Sequence, residues 1–163
     1  MPDHGGDTMF ANQYLAYETL SDGMKKMLGA MAAIHSAGRI YGTAAKRTKE
    51  PLPSSMSFRF SEAAHAEVEH PVIRTHIETG RKALYVNGNF TVRFKDMTEE
   101  ESAPLLRYLY QHAVRPELTC RFHWQPNSIA FWDNRAVQHY AVNDYDGKRR
   151  VMHRVTIEGE RPV

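Results

Sequence analysis

A chain of 163 residues, 42% hydrophobic and 25% charged, has the makeup of one folded domain with a real core, which excludes a disordered or fibrous protein. A formal net charge of +2 with scattered lysines and arginines leaves no nucleic-acid footprint, so no nucleic acid is expected as a partner. No apolar run approaches the ~20 residues that cross a bilayer, no signal peptide opens the chain, and the single cysteine excludes an internal disulfide; a cytoplasmic protein without membrane partners is expected.

Taken in order, the first third reads as helical. Met24, Met27, Leu28 and Met31 form one apolar stripe, with Ser21 as N-cap and Gly38 beyond the end. A methionine stripe of this kind is core packing before it is a cofactor box. From 36 to 69 the pattern dissolves into Gly, Ser, Thr, Lys and Pro, and this stretch is expected to be a partly mobile cover over a site. The period then changes to two: "HPVIRTH" and "KALYVNG" predict strands joined by a turn over Glu78 to Arg81.

"TEEESAPLLRYLYQHA" predicts a helix with capping-box spacing at Thr98 and Glu101, a buried stripe of Leu105, Leu106 and Leu109, and a stop at Pro116. "LTCRFHW" alternates, placing Cys120 in the core with Leu118, Phe122 and Trp124. "SIAFWD" and a last segment from Arg149 to Ile157 predict further strands. Helices first, then short strands interrupted by one helix, give an α+β class with a β-sandwich or jelly-roll core.

The chemistry concentrates near the end of the chain. On a strand, Arg150 and Arg154 share a face about 13 Å apart at the backbone, a separation suited to two anions rather than one. Guanidinium offers paired donors to carboxylate or sulfonate. Solvated charges on an edge strand are the alternative that spacing leaves open. His139 is a candidate metal ligand, yet one of nine histidines needs companions, and the open non-haem iron site takes two histidines and a carboxylate. The pairs His65–Glu67 and His76–Glu78 match that need weakly, the second running into a turn.

Three blocks go further. "GGDTMFANQYLAYETLS" at 5–21, "HPVIRTHIETGRKALYVN" at 70–87 and "WQPNSIAFWDNRAVQHYAVNDYDGKRRVMHR" at 124–154 resemble the taurine dioxygenase (TauD/TfdA) family of Fe(II)- and 2-oxoglutarate-dependent oxygenases. The resemblance covers nearly the whole chain in order. It implies a double-stranded β-helix, or jelly roll, here partial and flanked by helices. His139 matches the distal iron ligand, Arg150 the residue that binds the far carboxylate of 2-oxoglutarate, Thr8 the threonine that assists it, and Arg154 an arginine that holds a substrate sulfonate. Trp132 and Asn12 resemble nearby pocket or scaffold residues.

The implied activity is hydroxylation of a small anionic substrate bearing a sulfonate, sulfate or carboxylate, as in taurine catabolism, with O2 consumed and 2-oxoglutarate converted to succinate and CO2. Relatives commonly assemble, so a homo-oligomer is implied. One departure is large. The family's His-x-Asp pair precedes "GGDT", and here the chain opens "MPDHGGDT". His4, His65–Glu67 and His76–Glu78 do not replace it by position. The expectation is a single domain over 1–163 lacking its N-terminal portion and not necessarily active alone. A non-catalytic jelly-roll fragment, acting as a binding or assembly module, is the competing reading.

Overall fold

Asn12, Ser21 and Thr98 each open a helix as their short polar side chains dictate, accepting hydrogen bonds from backbone N–H groups that would otherwise lack partners. The structure, a computed structural model, describes residues 4–43 and 59–160. Strand β1 (Thr8–Asn12) runs into α1 (Gln13–Glu18), followed by α2 (Asp22–Leu28), β2 (Ala32–Ser36) and the single turn α3 (Gly38–Tyr41). A 3-10 turn (Glu62–His65) leads to β3 (Glu67–Pro71), β4 (Ile73–Thr75), β5 (Lys82–Leu84) and β6 (Thr91–Phe94). Helix α4 (Glu99–Ala113), a second 3-10 turn (Pro116–Leu118), β7 (Thr119–Phe122) and β8 (Val137–Ala141) complete the described elements.

The strands form three antiparallel groups ordered β7-β1-β8, β3-β2-β6 and β4-β5. Leu28, Phe94, Leu109, Val72, Leu84 and Val86 are buried together beneath α1 and α4. Thr98 and Glu101 make the expected capping box, and Ser102 extends it inward by donating to Thr98 O and accepting from Phe94 N. That bond fastens α4 to β6. The predicted hairpin is present as β4 and β5, and Arg81 beyond its turn reaches Glu18 and lies over the Tyr14 ring, docking the hairpin on α1.

Four expectations are corrected. The first helix ends at Leu28, and residues 32–36 are the central strand of a sheet instead of a helical tail; Ala33, Ile34 and His35 are all buried, so no alternation marks them. Within 36–69, the described parts include α3, a 3-10 turn and β3, while 44–58 lie outside the described residues. Cys120 is exposed, because it sits opposite Phe10 on edge strand β7, which has a neighbouring strand on its β1 side alone among the described residues. Neither 128–133 nor 149–157 forms a strand. Neither segment pairs with the free outer edge of β7 or of β8, and among the described residues neither takes part in a ladder.

Candidate functional site

The site is built on β1. Gly5 and Gly6 both hold φ of +71°, the left-handed region that favours glycine. A Cβ at Gly5 would meet the Asp144 carbonyl oxygen at 2.4 Å, so the chain can pass there only without a side chain. The Asp144 carboxylate accepts from Gly6 N at 2.7 Å, and Val142 N donates to Asp7 O at 2.9 Å. Together these contacts bind the segment after β8 to the entry of β1.

Alternation then sorts the side chains. Asp7 points to one side, where Arg121 Nε at 2.5 Å and His123 Nδ1 at 2.9 Å meet its buried carboxylate. Arg121 first, and His123 after it, hold the Asp7 carboxyl below its ordinary range against the opposing effect of burial. Thr8 and Phe10 point to the other side. Thr8 is directly opposite Phe122 and Ala141, and Phe10 is directly opposite Cys120 and His139. Thr8 and His139 are therefore diagonal neighbours on one face, an arrangement with roughly 7–8 Å between backbones.

Each candidate has a defined setting. The Thr8 hydroxyl is buried and accepts from Trp124 Nε1 at 2.9 Å, which leaves its own O–H to donate. Arg150 donates from Nε to Gly6 O at 2.9 Å, and its two terminal nitrogens have no protein partner among the described residues. The main chain thus fixes the guanidinium beside the Thr8 end of the strand with its forked donors unspent. His139 stands beside the rings of Trp132 at 5.1 Å and Phe10 at 6.4 Å. Loss of hydration there, and next the positive charge of Arg154, lower its pKa and favour the neutral imidazole, the ligating form. Arg154 is exposed and makes no hydrogen bond or ion pair among the described residues. Thr8 and His139 thus share one sheet face, with Arg150 anchored at the entry of β1 and Arg154 close enough for its charge to reach the imidazole.

Other sequence candidates fall elsewhere. Asn12 is scaffold, accepting from Tyr14 N and Leu15 N as the cap of α1. Glu67 pairs with Arg93; Glu78 lies 3.2 Å from His76 Nδ1 but accepts from Arg135 Nη1 with both oxygens, and neither His-x-Glu pair belongs to a group that could hold a metal among the described residues. Among the described residues no group of three or more His, Cys, Asp or Glu side chains could hold a metal ion. His139 suits one position of an iron centre, but the described residues do not assemble a complete one.

Sequence reasoning missed Asp7, Trp124 and Asp144. Two signals were present: adjacent glycines before a strand mark positive φ, and a buried indole needs an acceptor. It also missed buried Gln13, which donates to Ala11 O and Ala113 O and accepts from Gln138, joining β1, α4 and β8.

The profile of the family described as "Taurine catabolism dioxygenase TauD, TfdA family" matches residues 1–156. The chain belongs to the TauD/TfdA family. It is 39% identical to an alkylsulfatase of Acinetobacter baylyi over 98% of this chain and 50% of that protein. It is 37% identical to an alpha-ketoglutarate-dependent sulfate ester dioxygenase of Pseudomonas putida over 99% of this chain and 53% of that one. Among solved structures it resembles a taurine dioxygenase from Burkholderia xenovorans, with a TM-score of 0.69 and 37% identity, covering 88% of this chain and 44% of that chain. It also resembles AAD-2 in complex with Mn(II) and N-oxalylglycine, with a TM-score of 0.77 and 28% identity over 99% of this chain and 61% of that chain. These likenesses bear out an α+β, partial jelly-roll TauD/TfdA architecture. The chain spans about half the length of the curated relatives it matches. Among the described residues no helix is long and apolar enough to cross a membrane.

Proposed function

We propose that this chain carries the 2-oxoglutarate end of an Fe(II)- and 2-oxoglutarate-dependent dioxygenase that uses O2 to hydroxylate a small anionic substrate. In this reading Arg150 and Thr8 hold the far carboxylate of 2-oxoglutarate, His139 contributes one imidazole to iron, and Arg154 meets the substrate's anion. The observation that carries it is the common face of β1 and β8, with Thr8 and His139 two positions apart and Arg150 anchored to Gly6 with its forked donors free. A guanidinium that spends only Nε on the main chain keeps two parallel N–H groups for a carboxylate. The hydroxyl of Thr8 adds a third donor.

The substrate class follows the relatives. The two curated bacterial proteins are a sulfate ester dioxygenase and an alkylsulfatase, so a sulfate ester or a sulfonate is the favoured partner of Arg154, with a carboxylate as the remaining choice. Iron, when bound, supplies the oxidising chemistry; the residues of this chain orient what binds beside it.

Calorimetric titration of 2-oxoglutarate into the purified chain tests the reading. Arg150→Leu should abolish the heat, and Thr8→Val should weaken binding about tenfold, the loss of one hydrogen bond to a charged group. Equal binding by Arg150→Leu and the parent chain would refute the assignment. One observation favours a second reading, a binding or assembly module: Ile129 and Phe131 are 91% and 89% exposed. The same calorimetry separates the two, since the dioxygenase reading alone requires heat from 2-oxoglutarate that Arg150→Leu abolishes.

A further inference from the structure

Residues 151–160 have no regular structure, and among the described residues no backbone hydrogen bond ties them to the rest of the chain. A terminal segment of that kind frays unless side chains hold it. Two do, one near each end. Arg150 Nε reaches Gly6 O at 2.9 Å. At the far end, Glu160 accepts from Arg74 Nη2 at 2.6 Å and from Arg135 Nη1 at 3.1 and 3.2 Å.

The two arginines that receive Glu160 are unlike. Arg135 is a fixed post. Its Nε and Nη2 grip Asp133 and its Nη1 also holds Glu78, so it stands in place whether Glu160 is present or not. Arg74 is the needy partner. Its side chain is only 4% exposed, its Nε has no hydrogen-bond partner among the described residues, and its guanidinium rests 5.2 Å from the Tyr85 ring centre. A buried cation stripped of its counter-charge is strongly unfavourable, and among the described residues Glu160 is the carboxylate in ion-pair reach. Arg154 lies between the two anchors in sequence, with no hydrogen bond or ion pair of its own among the described residues.

We propose that Glu160 is a positioning residue. It clasps Arg74 and Arg135, draws residues 151–159 between two fixed points, and so keeps Arg154 presented to the anion of the substrate; this last role rests on the function proposed above. The clasp acts through Arg154 and touches no reacting atom.

Spin labels read the clasp directly. Cys120 is exposed and is the chain's single cysteine, and Val155 is 91% exposed, so nitroxides at Cys120 and at Val155→Cys report the distance from β7 to the residue after Arg154. Double electron–electron resonance should give a narrow distance distribution in the otherwise unaltered chain and in Glu160→Asp. The distribution should be broad in Glu160→Gln. The pair Arg74→Met with Glu160→Gln removes both the buried charge and its partner, so the fold is kept while the distribution still broadens. A narrow distribution in both neutralised proteins, or a broad one in the unaltered chain, overturns the clasp.

Titration with hexyl sulfate, without labels, reads the consequence. Glu160→Gln should weaken binding about tenfold through lost preorganisation, Glu160→Asp should restore it, and Arg154→Gln should lose it. Unchanged binding in Glu160→Gln alongside loss in Arg154→Gln overturns the positioning role. If the unaltered chain does not bind hexyl sulfate, the substrate reading falls, and the spin-label distances alone judge the clasp.

Discussion

The stretch from Ala16 to Leu118 and the stretch from Thr119 to Glu160 treat apolar side chains differently. The core cluster draws all its buried members from the first, where α1 and α4 close over sheet strands. In the second, Ile129, Phe131, Val155 and Ile157 stand in the open, along with Tyr140 and Cys120 on their sheet. Apolar patterning therefore reports burial only where another layer lies against it. The second stretch carries three of the four candidate site residues, and its strands are held by their ladders to β1, by charge pairs and by the few ring contacts of Trp124 and Trp132.

Several changes should break or sharpen that contrast. Phe94→Ala, in the covered stretch, should cost about 3–5 kcal/mol in urea unfolding, while Phe131→Ala should change stability by no more than ~0.5 kcal/mol. Equal losses at the two positions would erase the distinction.

Acid should act on the covered stretch as well. His35 is buried on β2, with Thr91 Oγ1 3.3 Å from its Nε2 and the His70 and Tyr85 rings against it. Burial, and after it the charge of His70, push its pKa down from 6.5 to about 4. Between those values the unfolded chain binds a proton that the folded chain does not. The stability is present above the ordinary value and lost as pH falls through this window, on the order of 3 kcal/mol in all. Thermal melts from pH 7 to 4 should show this fall, and His35→Gln should flatten it.

Smaller effects follow along α4. Ser102→Ala leaves the buried Phe94 N–H without an acceptor and should cost about 1–3 kcal/mol by denaturant titration. Thr98→Ala removes the cap of the same helix at about 1 kcal/mol, measurable by the same titration.

The covered stretch was the more legible from sequence. Thr98 and Glu101 announced a helix start because capping chemistry is local, and the Glu78 to Arg81 turn announced a hairpin for the same reason. Strand β2 was not legible, because a central strand buried on both sides carries no alternation, and Ala-Ala-Ile suits a helix equally well. In the other stretch, the alternation around Cys120 marked a real strand but not a buried one, and "SIAFWD" has a strand-like composition without forming a strand.

The candidate site was legible in its residues and not in its supports. His139, Arg150 and Arg154 stood out by residue type and spacing and took their roles from the family blocks, which alone added Thr8. The Asp144 grip on Gly6, the Trp124 bond to Thr8 and the Glu160 contact with Arg74 join positions more than eighty residues apart, and no local pattern records them.

The indole of Trp124 is a buried donor resting on the Thr8 hydroxyl, whereas Trp132 lies half-open beside His139. These are the chain's only two tryptophans. Each end of the proposed cosubstrate seat thus has its own optical tag. Emission from the sheltered one follows events at the carboxylate grip, and acrylamide quenching of the open one follows events at the imidazole, so the order in which the two ends fill can be timed in a stopped-flow cell without any added dye.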